Sequence, residues 1–268
     1  MLFFHSLILA IIQGITEFLP ISSSGHLAAL PLVMDWPDQG LLIDIAVHVG
    51  TLFAVMIYFR AEVAMLFKGG LASFGMGYKK EKDAARLFRL LVLASLPVLV
   101  AGGALAFAGY GEIFRRPDII AAASIGFGLL LYWADQKGAT DKGLETLSSK
   151  PALYVGLAQV LALIPGTSRS GITMTAARAL GFKRTEAARF SMLLSIPVIL
   201  AAGGWSTLEL MQTGTEGKIM EAFVAALFAF LAAIAAIHFL MRWLMKASMT
   251  IFVVYRVLFG LLLLAFVL

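Results

Sequence analysis

The chain is made of apolar stretches about as long as the hydrocarbon core of a bilayer is thick, and two of them are interrupted midway by short polar segments, PISSSGH at 20–26 and PGTSRSGIT at 165–173. Backbone that leaves the helix at membrane depth must find its hydrogen bonds within the protein or in a water-filled cavity. Two such breaks predict a polar cavity inside an apolar bundle. The composition excludes a soluble fold: 60% of residues are hydrophobic, 14% are charged and the mean hydropathy is +0.92, against roughly 45–50% apolar residues in soluble domains.

Apolar length places spanning helices near 40–59, 86–108, 118–134, 186–205, 217–243 and 248–268. The stretches 2–34 and 151–182, broken by Pro, Gly, Ser and Thr, read as re-entrant helix hairpins that enter and leave by one side. The expected fold is an all-α polytopic membrane protein, with six spanning helices plus two re-entrant helix hairpins in a single transmembrane domain over 1–268. The first residues carry neither a basic region nor a small-residue cleavage site and are expected to be retained. Cysteine is absent, which removes disulfides, thiolate metal sites and a cysteine nucleophile.

Lysine and arginine divide unevenly between the connections. Arg60, Lys68, Lys79, Lys80, Lys82, Lys137, Lys142, Lys150, Lys183, Arg184, Arg242 and Lys246 fall in 60–85, 135–150, 182–185 and 242–247, whereas Arg115, Arg116 and Lys218 fall on the other side. The positive-inside rule places the first set in the cytoplasm and both termini outside. The net charge of +5 is thus a topological signal. No dense basic patch with interleaved aromatics is present, so nucleic acid is not an expected partner.

The sequence also repeats itself. PISSSGH echoes PGTSRSG, and each follows an apolar helix that carries a glutamine, Gln13 or Gln159. Further on, SLPVLVAGG at 95–103 echoes SIPVILAAGG at 195–204. The halves are about 1–134 and 151–268, joined by a cytoplasmic linker at about 135–150. With three spans per half the second copy is inverted, and inverted repeats build shared sites from broken helices near the midplane. Glu17 is therefore expected opposite Arg169.

Gln13 and Glu17 are four apart and share a helix face. A carboxylate at a span centre is expensive, about 2.5–3.5 kcal/mol on insertion scales, so it is seldom kept without a use. Ser22, Ser23 and Ser24 precede an apolar run, where one serine would suffice as a cap. Free N–H groups at a helix start cradle phosphate, and a hydroxyl beside the imidazole of His26 supplies a nucleophile and a base. In the second break Gly166, Thr167, Ser168, Ser170 and Thr173 surround Arg169, whose guanidinium matches phosphate oxygens bidentately. Without a ligand Arg169 would pair with Glu17. His5, His48 and His238 stand alone on helices and are expected in packing or interfacial roles; Asp44 and Arg256 carry no assignment.

Taken together, QGITEFLPISSSGH and PGTSRSGIT resemble the signatures of the undecaprenyl-pyrophosphate phosphatase family of the bacitracin-resistance type, over the whole chain. On that resemblance Glu17, Ser23, His26, Ser168, Arg169 and Thr173 fall on functional positions, and Gln13 takes a place that is Glu in many members. The resemblance implies hydrolysis of a C55 polyprenyl diphosphate to the monophosphate and inorganic phosphate, recycling the lipid carrier of cell-wall synthesis. It also implies Mg²⁺ or Ca²⁺, held here by Glu17 and Gln13, and a bacterial inner-membrane location; the first hairpin, which opens outward in the topology above, favours a site reached from the periplasm. The implied partners are the polyprenyl diphosphate lipid, the bilayer and a second copy of the chain as a homodimer. Three nucleophiles fit these residues: Ser23 with His26 as base, which is favoured, His26 itself, or a metal-bound water. The rival activity is a transporter or flippase for polyprenyl phosphate or another anion. A lipid phosphatase of the acid-phosphatase type fits poorly, because the next histidine after Arg169 is His238.

Overall fold

The computed structural model describes residues 2–34, 36, 39–73, 75, 82–108, 116–138, 141–213 and 219–267. Among them the regular structure is all helical, apart from one isolated pairing of Lys142 with Phe182. Five helices are long and apolar enough to cross a membrane: α3 (Leu41–Tyr58), α5 (Lys82–Ala108), α6 (Pro117–Lys137), α9 (Arg184–Thr213, apolar over Arg184–Met211) and α10 (Ile219–Leu244). These match five of the six expected spans. The sixth, α11 (Thr250–Val267), is a shorter apolar helix over Thr250–Phe266.

Both polar breaks lie between short helices. The first separates α1 (Leu2–Thr16) from α2 (Ser23–Met34); the second separates α7 (Ser149–Val160) from α8 (Arg169–Ala179). At 1.5 Å per residue these elements are about 17–23 Å long, too short for a hydrocarbon core of about 30 Å. Pro20 and Pro165 stop the helices because proline has no N–H to continue the ladder.

One expected loop is a helix. Residues 60–85 contain α4 (Arg60–Ser73), whose Ala, Arg, Glu, Met and Leu residues favour helix, and α5 already begins at Lys82. α4 is too short and too polar to resemble a span, which hid it in a reading of apolar length. Of the residues that fixed the orientation, Lys79, Lys80, Arg115 and Lys218 lie outside the described residues.

The bundle closes through small residues. α10 buries Ala222, Ala225, Ala229, Ala233 and Ala236 along one side. Against that side Gly50 of α3 and Gly14 of α1 approach so closely that an added Cβ would meet Ala226 O at 2.1 Å and Ala229 O at 2.5 Å. With lipid outside, such close backbone contact supplies the packing energy between helices. The largest buried cluster runs from Phe18 and Leu19 through Leu193 and Leu194 to Phe252 and Val253, so both halves share one interior.

The segment expected as a linker is tightly held. α6 continues through Lys137, and Asp135 is buried within it. Its carboxylate accepts from Arg178 Nε at 3.0 Å, Arg184 Nε at 2.7 Å and Met249 N at 3.0 Å, which ties α6 to α8, α9 and the start of α11. Arg86 donates to the carbonyls of Leu147 at 2.5 Å and Glu145 at 2.8 Å, holding the following turn against α5.

Candidate active site

The two breaks use the same device. Ser22 and Ser168 are the only non-glycine residues with positive φ among the described residues, at 74° and 69°. Each caps the helix that follows: Gly25 N donates to Ser22 Oγ at 3.3 Å, and Gly171 N donates to Ser168 Oγ at 3.1 Å. Each cap hydroxyl also meets the serine two residues on, Ser24 at 3.4 Å and Ser170 at 3.1 Å. A positive φ is uncommon for any residue with a Cβ and marks a constrained backbone.

The breaks touch back to back. Ser170 Oγ donates to Leu19 O at 2.9 Å, and a Cβ on Gly25 would stand 3.4 Å from Gly166 Cα. Gly166 has φ +91° and a Cβ there would lie 2.3 Å from Ile120 O, so no other residue fits without displacing α6.

The first residue of each capped helix then reaches Glu17. Ser23 Oγ donates to Glu17 Oε2 at 2.7 Å, and Arg169 Nη2 donates to Glu17 Oε1 at 3.1 Å. The carboxylate is held from behind by Gln13 Nε2 at 2.9 Å. Arg169 is fixed by a second bond, from Nη1 to Ser191 O at 2.9 Å, and lies over the ring of Phe18. Thr173 Oγ1 meets Ser191 Oγ at 2.7 Å, which orients the segment that holds Arg169. The expected juxtaposition of Glu17 and Arg169 is present as a buried ion pair.

This cluster opens on a cavity of about 370 Å³. Its polar wall is formed by Glu17, Ser23, Ser24, Ser168 and Arg169 with Asp44 and His48 from α3; its apolar wall includes Val198, Ile199 and Ala202 of α9. Gln13, Ser22, His26, Gly166, Thr167, Ser170 and Thr173 do not line it. They form the layer that shapes the breaks.

His26 is not hydrogen-bonded to Ser23. Its Nδ1 meets Ser22 O at 2.7 Å and its Nε2 meets the hydroxyl of Tyr255 at 2.6 Å, with Phe259 stacked on the ring. The imidazole on the cavity wall is instead His48, which reading the sequence had placed in packing or at an interface. Its Nδ1 meets Asp44 O at 2.7 Å. A carbonyl only accepts, so Nδ1 carries a proton. The four-residue spacing of Asp44 and His48 on an apolar helix, the same as that of Gln13 and Glu17, was the available signal. Arg256, also without an earlier assignment, is fully buried in α11 and donates to the carbonyls of Gly166 at 3.0 Å and Thr167 at 2.8 Å.

Among the described residues no three His, Cys, Asp or Glu side chains cluster as a metal site. The carboxylates that line the cavity are those of Glu17 and Asp44; behind Glu17 lies Gln13 Oε1, buried and without a hydrogen-bond partner, so that Glu17 and Gln13 offer one carboxylate and one amide oxygen side by side. One carboxylate and one amide oxygen suit a hard cation that takes its remaining ligands from a substrate.

Residues 6–262 match the family described as bacitracin resistance protein BacA. The chain is 45% identical over 266 residues to the undecaprenyl-diphosphatase of Roseobacter denitrificans, covering 99% of both chains. It is 48% identical over 261 residues to that of Nitrosococcus oceani, covering 97% of both, and 48% identical over 253 residues to that of Hahella chejuensis, covering 94% of both. A match of this extent, over the residues that build both breaks and the cavity between them, makes the chain a member of the BacA bacitracin resistance protein family.

Proposed function

We propose that the protein is an integral-membrane phosphatase that hydrolyses undecaprenyl diphosphate to undecaprenyl phosphate and inorganic phosphate. The observation that carries this reading is the convergence of Ser23 and Arg169, each the first residue of a capped helix, on the single carboxylate of Glu17. Full-length relatives named undecaprenyl-diphosphatase support it.

The terminal phosphate of the lipid enters the cavity toward the starts of α2 and α8, where free N–H groups and the positive dipole ends favour an anion. Arg169 exchanges Glu17 for phosphate oxygens, an acceptor its planar fork matches bidentately. That exchange frees one carboxylate oxygen while Ser23 still donates to the other. Ser23 Oγ then attacks the terminal phosphorus and its proton passes to Glu17. The bond from that phosphorus to the bridging oxygen breaks, and the lipid monophosphate leaves with the proton. Water next hydrolyses the phosphoserine, releasing inorganic phosphate and restoring the serine. Glu17 is the base in this account because Ser23 donates to it, whereas both ring nitrogens of His26 are engaged elsewhere.

Glu17, backed by Gln13, would hold Mg²⁺ or Ca²⁺ together with the diphosphate; such a cation screens the charge that develops on the phosphoryl oxygens. Ser22, Ser170 and Thr173 keep the two helix starts in place. The matching caps, and the prolines within α5 and α9 at Pro97 and Pro197, support an inverted repeat with two re-entrant hairpins and α11 as a sixth span. The lysine and arginine bias supports a bacterial inner-membrane protein whose cavity opens to the periplasm.

The test is phosphate release by the purified protein from a long-chain polyprenyl diphosphate in detergent with Mg²⁺ or Ca²⁺. Release at a steady rate is expected. Protein that releases none, yet moves labelled lipid phosphate across proteoliposomes, would be a transporter instead.

A further inference from the structure

Two consecutive residues of α11, Tyr255 and Arg256, reach the two breaks from outside the cavity. Neighbours on a helix diverge by about 100°, so one residue can serve each break. The Ser22 carbonyl at His26 Nδ1 only accepts, so that nitrogen carries the proton, and the Tyr255 hydroxyl donates to the lone pair of Nε2. Phe259, one turn further along, stacks on the same imidazole with centroids 4.3 Å apart. The chain of contacts from Tyr255 through His26 ends on Ser22, the cap of α2. Ser23, which donates to Glu17, is the next residue.

Arg256 serves the other break. Its Nη2 donates to the carbonyls of Gly166 and Thr167, and its Nε donates to Ser124 O of α6 at 3.1 Å. The turn it grips carries the positive φ of Gly166 and Ser168 and aims Arg169. The guanidinium is completely buried, and among the described residues its partners are carbonyl oxygens and no carboxylate. One of its nitrogens, Nη1, has no partner and lies 2.7 Å from where a Cβ on Gly171 would stand, inside the first turn of α8. A buried charge left uncompensated is costly. Placed there it has the same sign as the dipole end of α8, and it favours an anion at Ser168 and Arg169.

We propose that Tyr255 and Arg256 are positioning residues for the phosphate centre: Tyr255 fixes the start of α2 through His26, and Arg256 fixes the start of α8 and adds an uncompensated charge behind it. The proposal rests on the phosphatase reading above. It is tested with full-length Tyr255→Phe, Arg256→Lys, Arg256→Gln and the Tyr255→Phe/Arg256→Lys pair, measuring kcat and KM for phosphate release alongside thermal unfolding in detergent. Tyr255→Phe and Arg256→Lys should each lower kcat about tenfold with KM within about twofold, since both leave the charges and disturb only the aim of the attacking groups. Arg256→Gln should in addition raise KM about tenfold, a split that a purely structural role would not give. The double variant should lose less than the product of the two single losses, because both prongs act on one centre. Wild-type kcat in Tyr255→Phe and Arg256→Lys would overturn the positioning role, and equal KM in Arg256→Lys and Arg256→Gln would overturn the electrostatic one. If Arg256→Gln does not fold, the first two variants decide. An inactive wild type would instead count against the phosphatase reading itself.

Discussion

Glu17 has three partners, and they define its chemistry: an amide behind it, a hydroxyl on one oxygen and a guanidinium on the other. The guanidinium is the partner whose fork matches phosphate oxygens bidentately, so the ion pair works as a latch that substrate opens. Ser23→Ala removes the attacking oxygen and should lower kcat by about 10³-fold or more, with phosphate-release kinetics as the readout. Rapid-quench trapping with labelled substrate should place phosphate on Ser23; label on His26 would defeat that assignment. At this scale the sequence was informative about residue types and about the meeting of Glu17 with Arg169. It did not show that the His26 ring turns from Ser23 to Tyr255, because Ser23 is only three residues away while Tyr255, which occupies Nε2, is 229 residues away. Local spacing also missed that Asp44 and His48 face the cavity, since nothing local tells which side of α3 turns inward.

The breaks owe their shape to a few backbone positions. Gly166→Ala puts a Cβ 2.3 Å from Ile120 O at a φ of +91°, so it should both destabilise the protein and cost most of the activity. Thermal unfolding and phosphate release on the same preparation check it; unchanged values for both would mean that the turn has room to move. Asp135→Ala, at a residue that does not line the cavity, should act on stability alone. It strands Arg178, buried against that carboxylate, and a loss of about 3–5 kcal/mol is expected for breaking a buried pair. Denaturation in mixed micelles measures it, with kcat of the folded fraction unchanged. Long apolar elements were legible from hydropathy, as α3, α5, α6, α9 and α10 attest. α4 and the buried end of α6 were not, because mixed composition at a helix terminus looks the same as a polar loop until its partners are known.

For the whole molecule, the two breaks meet so that the first gives the acid and hydroxyl and the second the guanidinium. Neither break is complete alone. The echo of PISSSGH in PGTSRSG pointed to this meeting, and both breaks carry the same cap, at Ser22 and Ser168. The interior around them, tied by Asp135 and by Arg256, depends on contacts between distant segments that no periodicity announces. The charge bias predicts that α4 faces the cytoplasm, so a cysteine at Lys68 should react with a membrane-impermeant maleimide only in inverted vesicles; labelling from the periplasm in intact spheroplasts would reverse the orientation. The shared centre itself is tested most directly by the rate of phosphate release from long-chain polyprenyl diphosphate by wild type, Glu17→Gln and Arg169→Ala. An active wild type with each variant reduced by about 10³-fold is the predicted result, and a variant of either residue that keeps wild-type kcat/KM would contradict a site built where the two breaks meet.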